Sequence, residues 1–176
     1  MKIITLTGCK MVGKSTVANA IADEYDGSAY ILSFADPIRA MVSAMGIESK
    51  YLTDQRYKEE EIQGLNKSAR YLMQTLGTEW GRGMVAQDIW LWAMSKKIEE
   101  AKAEGAGIVV IDDLRFENEA KWAKQVGAIV VRLLRDGYDY GNDSHSSEQP
   151  IPKQYIDFTQ DAADEYQAAT NILNYA

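Results

Sequence analysis

Short apolar runs alternate with stretches of helical periodicity over the first part of the chain. Ile3-Ile4-Thr5-Leu6-Thr7 is continuously apolar or β-branched, which is typical of a parallel strand covered on both faces. Apolar residues recur at helical spacing from Lys14 to Tyr25, and Tyr30 to Phe34 is a second strand-like run. Asp36-Pro37 is suited to cap and open a helix that runs to about Met45. This order of elements predicts a parallel sheet with right-handed crossovers.

The middle of the chain is helical but less regular. Its pattern predicts helices from Lys67 to Leu76 and from Met84 to Ala103, and a solvated, mobile connection from Tyr51 to Leu65. The second helix has apolar residues on two faces, as expected of a helix contacted from two sides. Trp90 lies on one of these faces, so it has two interpretations: packing in a core, or stacking on a base.

The last part of the chain returns to alternating strands and helices. A buried-strand pattern over 107–111 is followed by Asp112 and Asp113. The polar stretch from Asp136 to Pro152 is rich in glycine and serine and predicts a mobile flap. The other predicted elements are a helix at Glu117–Val126, strands at Ala128–Leu134 and Tyr155–Thr159, and a helix from about Ala162 to Leu173.

Composition and charge exclude several classes of function. At 176 residues, with 46% hydrophobic residues, the chain has the size and content of one globular domain. Its net charge of −7 argues against a nucleic-acid or membrane-surface binder, because both need a broad basic face. A single cysteine, Cys9, and a single histidine, His145, exclude an internal disulfide and argue against a zinc site. With no signal-peptide pattern or membrane-length run, a cytoplasmic protein is predicted.

A glycine-rich loop between the first strand and helix carries the clearest chemistry. Gly8-Cys9-Lys10-Met11-Val12-Gly13-Lys14-Ser15 fits the pattern G-x-x-x-x-G-K-S/T. In this pattern the glycines let backbone N–H groups turn toward phosphate oxygens, Lys14 adds a positive charge, and the Ser15 hydroxyl can ligate Mg²⁺. Gly8, Gly13, Lys14, Ser15 and Thr16 are therefore predicted to bind ATP with Mg²⁺.

Two carboxylates and several arginines are candidates for the rest of the site. Asp112 and Asp113 follow the strand expected beside the first one, where one carboxylate normally holds the metal. The residues alone leave open which one serves, and Asp112 is taken as the ligand beside Ser15. Phosphoryl transfer between nucleotides needs several cations, although each arginine could instead form a surface ion pair. The candidates are Arg39, Arg70, Arg82, Arg115, Arg132 and Arg135.

Three further segments match patterns of one known family. Residues 70–78, RYLMQTLGT, are similar to R-x-L-M-Q-x-L-G-T. Residues 113–119, DLRFENE, are similar to D-x-R-x-x-x-E, and residues 143–148, DSHSSE, to D-x-H-x-x-E. Through these segments and the glycine loop the chain resembles the bacteriophage deoxynucleoside monophosphate kinases over nearly its whole length. His145 lies in the third segment, and hydrogen bonding within a polar loop is favoured for it over a metal or acid–base role.

The resemblance implies a fold, a reaction and a set of roles. The fold would be a single P-loop NTPase domain over 1–176, with helices on both faces of a parallel sheet, a helical acceptor-binding insert at about 50–104 and a lid-like loop at about 135–152. The reaction would be transfer of the γ-phosphate of ATP to a deoxynucleoside monophosphate, which gives the diphosphate and ADP. The acceptor-binding residues would be Arg70, Gln74, Trp90, Asp113, Arg115 and Glu119, and Arg39 is added to them from the candidate arginines. The catalytic residues would be Lys10, Lys14, Asp113, Arg115 and Arg135.

Two other functions remain open on the sequence alone. A kinase of the same fold could act on another phosphorylated metabolite, such as phosphomevalonate or dephospho-coenzyme A. A nucleotide-dependent switch is the second alternative, but Asn66-Lys67-Ser68-Ala69 lacks the aspartate of the guanine-recognition pattern N/T-K-x-D. The sequence also leaves open which bases are accepted, whether ribose is rejected, and whether the protein forms a homodimer.

Overall fold

The chain forms two compact units. The computed structural model describes residues 1–54, 56–140 and 149–176. The first unit combines Met1–Ser33 with Met94–Ala176, and the second is Phe34–Ala93. The second unit overlaps the predicted insert at about 50–104, and the bounds and role of that insert stay a prediction.

Helices and strands alternate through most of the described chain. In chain order they are β1 (Lys2–Thr7), α1 (Lys14–Glu24), β2 (Ala29–Leu32), α2 (Asp36–Ala44), α3 (Ser49–Thr53), β3 (Glu61–Ile62), β4 (Lys67–Ser68), α4 (Ala69–Gln74), a π-helix (Thr75–Val85), α5 (Ile89–Ala103), β5 (Ile108–Ile111), α6 (Glu117–Gln125), β6 (Ile129–Leu134), a 3₁₀ helix (Lys153–Tyr155), β7 (Phe158–Asp161) and α7 (Glu165–Tyr175).

The first unit is built on a five-stranded sheet in the order β2-β5-β1-β6-β7. Every neighbouring pair in it is parallel. β1 therefore lies between β5 and β6, with Ile4 opposite Val110 on one side and Ile129 on the other. This confirms the prediction that the strand before Asp112 and Asp113 lies beside β1. Because the strands are parallel, the segments that follow them meet at one edge of the sheet.

Both faces of this sheet are covered by helices. On one face the core joins Ile4 and Leu6 of β1 to Ile21 of α1 and Ile172 of α7, all fully buried. On the other face Ile3 packs against a cluster that includes Ala120 and Ala123 of α6. Neighbouring residues of β1 thus serve opposite cores, as the alternation of side chains along a strand requires.

The second unit contains more regular structure than the sequence pattern predicts. Its core is formed by Val42, Leu52 and Ala69, with Ile62 packed against them. The predicted connection over Tyr51–Leu65 contains regular structure at both ends, where α3 and β3 lie, and its mobility stays a prediction. Leu52 and Ile62 form these elements because burial of their side chains orders the chain around them.

Two predicted helices of this region begin later than expected. The helix predicted from Lys67 begins at Ala69, since Lys67 and Ser68 pair with β3 and the Ser68 hydroxyl caps α4 by accepting from the Tyr71 N–H at 3.2 Å. The helix predicted from Met84 begins at Ile89, because the π-helix continues to Val85. A π-helix of this length is rare and is not detectable from hydrophobic periodicity.

The C-terminal part follows the predicted order with shifted boundaries. The strand expected at Tyr155–Thr159 is a 3₁₀ helix followed by β7, and the last helix begins at Glu165. Residues 141–148, which include His145 and the third family-like segment, lie outside the described residues. Within the part of the chain that the structure describes, none of the helices is both long and apolar enough to cross a membrane.

Candidate active site

The glycine loop joins β1 to α1 through two glycines with left-handed backbone. Gly8 has φ of +149° and Gly13, the N-cap of α1, has φ of +106°. A β-carbon on Gly8 would lie 2.7 Å from the carbonyl oxygen of Leu133 on the neighbouring strand β6. Glycine is therefore required at position 8 by both its φ angle and the available space. The loop leads into the N-terminus of α1, where unpaired N–H groups favour an anion.

Lys14 places its ammonium group on the glycine loop itself. Its Nζ donates to the carbonyl oxygens of Gly8 at 2.8 Å and Cys9 at 2.7 Å, and the residue is only 9% exposed. The loop therefore concentrates positive charge in a protein whose net charge is −7. Such a local cluster is what a polyphosphate needs, because the rest of this acidic chain would repel it.

Ser15 and Asp112 are brought together by α1 and β5. The Ser15 hydroxyl donates to Asp112 Oδ2 at 2.6 Å, although the two residues are 97 positions apart. The Asp112 backbone is itself fixed, because its N–H donates to the carbonyl oxygen of Leu32 at 3.2 Å. A hydroxyl and a carboxylate are the hard oxygen ligands that Mg²⁺ prefers, and such a site is normally completed by water and substrate phosphates. The pair therefore fits the predicted metal.

Asp113 has a different partner from Asp112. The Ser33 hydroxyl donates to Asp113 Oδ2 at 2.5 Å, and Ser33 is 7% exposed. The register of the sheet explains this contact, since Leu32 pairs with Ile111 and the residues after both strands are neighbours. Sequence reasoning missed Ser33. The available signal was a polar side chain within an otherwise apolar strand-like run, Tyr30 to Phe34.

The turn after Asp113 is held by Glu119 from within α6. Glu119 Oε2 accepts from the N–H groups of Arg115 at 2.8 Å and Phe116 at 3.0 Å, and Glu119 is 1% exposed. Phe116 is the N-cap of α6 and has no side-chain acceptor of its own, so Glu119 caps this helix start. The predicted contact between Glu119 and the acceptor stays a prediction. The carboxylate is buried and orders the backbone that carries Arg115.

Two buried donors near the glycine loop lack hydrogen-bond partners. They are Arg132 Nε and Tyr140 Oη, among the side-chain atoms of the described residues. Another nitrogen of the Arg132 guanidinium donates to the carbonyl oxygen of Ile151. Burial raises the pKa of Tyr140, although the positive charge of Arg132 opposes this increase. Tyr140 therefore stays a neutral phenol at physiological pH.

The remaining predicted residues of the first unit are more exposed. Lys10 and Thr16 are exposed on the glycine loop and on the first turn of α1, and Arg115 is half-buried. Arg135 is also exposed, and its guanidinium lies 5.5 Å from the centre of the Tyr138 ring. These placements leave the predicted roles of Lys10, Thr16, Arg115 and Arg135 as predictions.

Two arginines of the second unit that are predicted to bind the acceptor, Arg39 and Arg70, are both held by carboxylates. Arg70 Nε lies 3.4 Å from Glu59 Oε1, and the Arg70 side chain is 20% exposed. Arg39 donates to Asp36 Oδ1 at 2.6 Å within the first turn of α2. Gln74, at the end of α4, is half-buried. A phosphate could replace a carboxylate as the partner of either guanidinium, because both anions accept bidentate hydrogen bonds from arginine.

Trp90 is a packing residue in this structure. It is 5% exposed, and its indole N–H donates to the carbonyl oxygen of Gly77 at 2.7 Å. A β-carbon on Gly81 would lie 2.4 Å from Trp90 Cζ2. The ring thus fills the space that Gly81 leaves open. This geometry fits the core-packing interpretation, and a contribution of Trp90 to the nucleoside pocket stays a prediction.

Known proteins with similar sequences include two viral kinases. A deoxynucleoside-5'-monophosphate kinase of Escherichia phage T5 is 29% identical over 135 residues, which are 71% of this chain and 52% of that protein. A putative deoxynucleotide monophosphate kinase of Acanthamoeba polyphaga mimivirus is 27% identical over 164 residues, which are 84% of this chain and 81% of that protein. The chain thus spans about half the length of the phage T5 relative.

Solved structures support the fold. The tunicamycin resistance protein of Deinococcus radiodurans aligns with a TM-score of 0.54 and 12% identity over 99% of this chain and 94% of that one. A sugar kinase from Janibacter sp. HTCC2649 aligns with a TM-score of 0.53 and 12% identity over the same shares. The chain has the P-loop NTPase fold. The family model for deoxynucleotide monophosphate kinase matches residues 52–161, more than half of the chain. The protein therefore belongs to the deoxynucleotide monophosphate kinase family.

Proposed function

We propose that this protein transfers the γ-phosphate of ATP to a deoxynucleoside monophosphate, which gives a deoxynucleoside diphosphate and ADP. The observation that carries the proposal is the hydrogen bond between Ser15 and Asp112 beside the glycine loop. In a member of this family, a hydroxyl and a carboxylate paired at that position are suited to hold the metal of a nucleoside triphosphate.

The first unit would hold the donor. The N–H groups of the loop between Gly8 and Gly13 would bind phosphate oxygens of ATP, with Thr16 at the start of α1 as a further contact. Lys14 would exchange its bonds to the Gly8 and Cys9 carbonyls for bonds to phosphate. Ser15 and Asp112 would hold Mg²⁺, which supplies positive charge to the phosphates when it is bound.

The acceptor would be bound through arginines and a fixed carboxylate. Arg70, with Arg39, is assigned to the acceptor's phosphate, and Gln74 to its nucleoside. In the first unit, Asp113 and Arg115 are assigned to the acceptor. In this proposal the region of about 50–104 is the acceptor-binding insert, and the region of about 135–152 is a lid-like loop.

The chemistry needs little proton transfer. The attacking oxygen of a monophosphate is already anionic near neutral pH, so a strong general base is unnecessary. The protein contributes positioning and charge. Arg115, Arg135 and Lys10 are the side chains assigned to the charge that gathers during transfer. A cytoplasmic location is part of the proposal, in keeping with a single cysteine, and the net charge of −7 supports the absence of a nucleic-acid partner.

An assay of ADP release against a panel of acceptors tests the proposal. The panel contains the four common deoxynucleoside monophosphates, the matching ribonucleotides, phosphomevalonate and dephospho-coenzyme A. We expect saturable turnover with one or more deoxynucleotides and none with the other phosphorylated metabolites. Turnover with only a non-nucleotide acceptor would contradict the assigned substrate class, and ADP release unaffected by every acceptor would contradict a kinase.

A pair of lysine variants makes this assay specific for the glycine loop. Lys14→Ala should abolish transfer while circular dichroism shows a folded protein. Lys97→Ala is the matched control, because Lys97 is an exposed residue of α5 that pairs with Glu100 at 3.0 Å. It should retain wild-type turnover. Equal activity of the two variants would contradict the role assigned to Lys14.

A further inference from the structure

The adjacent carboxylates of Asp112 and Asp113 are each bound by a different serine. Ser15 donates to Asp112 at 2.6 Å, and Ser33 donates to Asp113 at 2.5 Å. Ser15 belongs to the first turn of α1, directly after the glycine loop, whereas Ser33 follows β2. The two hydroxyls therefore hold neighbouring carboxylates in two different directions.

We propose that Ser33 is a positioning residue that fixes the carboxylate of Asp113 for the acceptor nucleotide and keeps it apart from the metal ligand Asp112. This inference rests on the proposed function and deepens it by separating the roles of the two acids. Neither the sequence pattern nor the resemblance gives Ser33 a role.

The two ends of the Ser33–Asp113 hydrogen bond lie on fixed backbone. Leu32 pairs with Ile111 in the parallel sheet, which sets the distance between the segments that follow β2 and β5. Just after Asp113, the Leu114 N–H donates to the carbonyl oxygen of Leu6 at 3.2 Å, and Leu114 is 1% exposed. The bond therefore adds side-chain order to a backbone that is already ordered.

A fixed carboxylate binds a ligand more tightly than a mobile one. Asp113 offers its oxygens only as acceptors, so its partner on the nucleotide must be a hydroxyl or amino group. If the side chain could rotate, each binding event would have to restrict it. Hydrogen bonds to an ionised group are also short and strong, in keeping with 2.5 Å between Ser33 Oγ and Asp113 Oδ2. Loss of the Ser33 hydroxyl should therefore weaken acceptor binding without affecting the metal.

Steady-state kinetics of paired serine variants tests this separation. Ser33→Ala should raise the KM for the deoxynucleotide about 10-fold, equivalent to about 1.4 kcal/mol. The KM for ATP and the Mg²⁺ concentration for half-maximal rate should stay within about 2-fold of wild type. Ser15→Ala is the matched control and should show the reverse pattern, with a higher Mg²⁺ requirement and an almost unchanged KM for the acceptor.

A double-mutant cycle identifies the residue through which Ser33 acts. If Ser33 acts only through Asp113, Ser33→Ala in an Asp113→Asn background should change the acceptor KM no further. Ser33→Cys has the same shape as serine with a slightly larger side chain, and it replaces the hydroxyl with a weak donor, so it should lose affinity as Ser33→Ala does. It also replaces Ser33→Ala in the assay if the alanine variant does not fold.

The outcomes separate this inference from the proposed function. If the wild type is active and both Ser33 variants have an unchanged KM for the deoxynucleotide, the inference is wrong while the proposed function stands. The inference is also wrong if the Ser33 variants change the Mg²⁺ requirement and not the KM for the acceptor. Additive effects of the Ser33 and Asp113 substitutions on this KM would contradict it as well. A wild type that turns over no deoxynucleotide would contradict the proposed function, and the inference with it.

Discussion

Glu119→Gln is the substitution for which the structure gives the most definite expectation. The glutamine has nearly the same shape, so it leaves no cavity. It removes the negative charge that accepts from the Arg115 and Phe116 N–H groups at 2.8 Å and 3.0 Å. It also places an amide NH₂ group in a position that is 1% exposed.

The expected loss of stability is about 2 to 3 kcal/mol. Each hydrogen bond to a charged group is worth about 1 kcal/mol more than a neutral one, so the two bonds account for about 2 kcal/mol. The negative charge at the start of α6 adds about 0.3 to 1 kcal/mol through the helix dipole. An unpaired buried NH₂ group costs about 1 to 3 kcal/mol. These contributions sum to about 3 to 6 kcal/mol. About 1 to 3 kcal/mol of this sum is offset, because the variant no longer buries a charge, and this leaves about 2 to 3 kcal/mol.

Urea denaturation followed by circular dichroism measures this loss. For a chain of 176 residues, this loss in the free energy of unfolding corresponds to a decrease of roughly 5 to 10 °C in Tm. Glu117→Gln is the matched control, because it removes the same charge from the same turn of α6 at an exposed position. The control should lose about 0.3 to 1 kcal/mol. If the two variants were equally stable, the buried capping role of Glu119 would be wrong.

Three further substitutions test other parts of the account. Gly81→Ala would place its β-carbon 2.4 Å from the Trp90 ring and should lower the free energy of unfolding by about 1 to 3 kcal/mol. Gly83→Ala is its control and should not lower it, because its β-carbon would lie 3.6 Å from the nearest atom, the carbonyl oxygen of Thr78. Tyr140→Phe removes a buried hydroxyl without a described partner and should be neutral or stabilising in urea. The pKa of Tyr140 is raised above 10.0 in the folded state, so the folded state keeps the phenol proton at pH values where the unfolded state has lost it. The free energy of unfolding of the wild type should therefore fall above about pH 10, and it should fall less in Tyr140→Phe. Asp112→Asn should raise the Mg²⁺ concentration for half-maximal activity at least about 10-fold in a titration of initial rate.

The parallel sheet of the first unit could be predicted from local sequence. Its strands are short apolar runs because helices cover both faces, and runs such as Ile3–Thr7 and 107–111 show this directly. The glycine loop is equally local, since its function depends on residues eight positions apart at most. The sheet and the glycine loop are thus readable without knowledge of distant contacts, whereas the hydrogen bond between Ser15 and Asp112 joins residues 97 positions apart.

The structure of the second unit depends on contacts that periodicity cannot show. The π-helix packs where Gly81 leaves room for Trp90, and β3 forms where Ile62 reaches the core of Val42 and Leu52. These elements follow from tertiary contacts rather than from a local pattern. A helical period in the sequence therefore predicts too much α-helix in this region.

The candidate site shows the same division between local and distant information. Ser33 and Asp113 are 80 positions apart, so only the register of the sheet reveals their contact. Glu119 lies four positions from Arg115, and a glutamate at the third position of a helix is a known capping signal. This capping contact was therefore within reach of sequence reasoning. The resemblance points only to a contact with the acceptor, which stays a prediction.

Transfer of a label from ATP marked at its γ-phosphate tests the central claim most directly. The labelled ATP is incubated with the protein, Mg²⁺ and each deoxynucleoside monophosphate, and the products are separated by chromatography. We predict that the label appears in a deoxynucleoside diphosphate with the wild type and not with Lys14→Ala. Label that appears only as free phosphate, or equally with both proteins, would contradict the account.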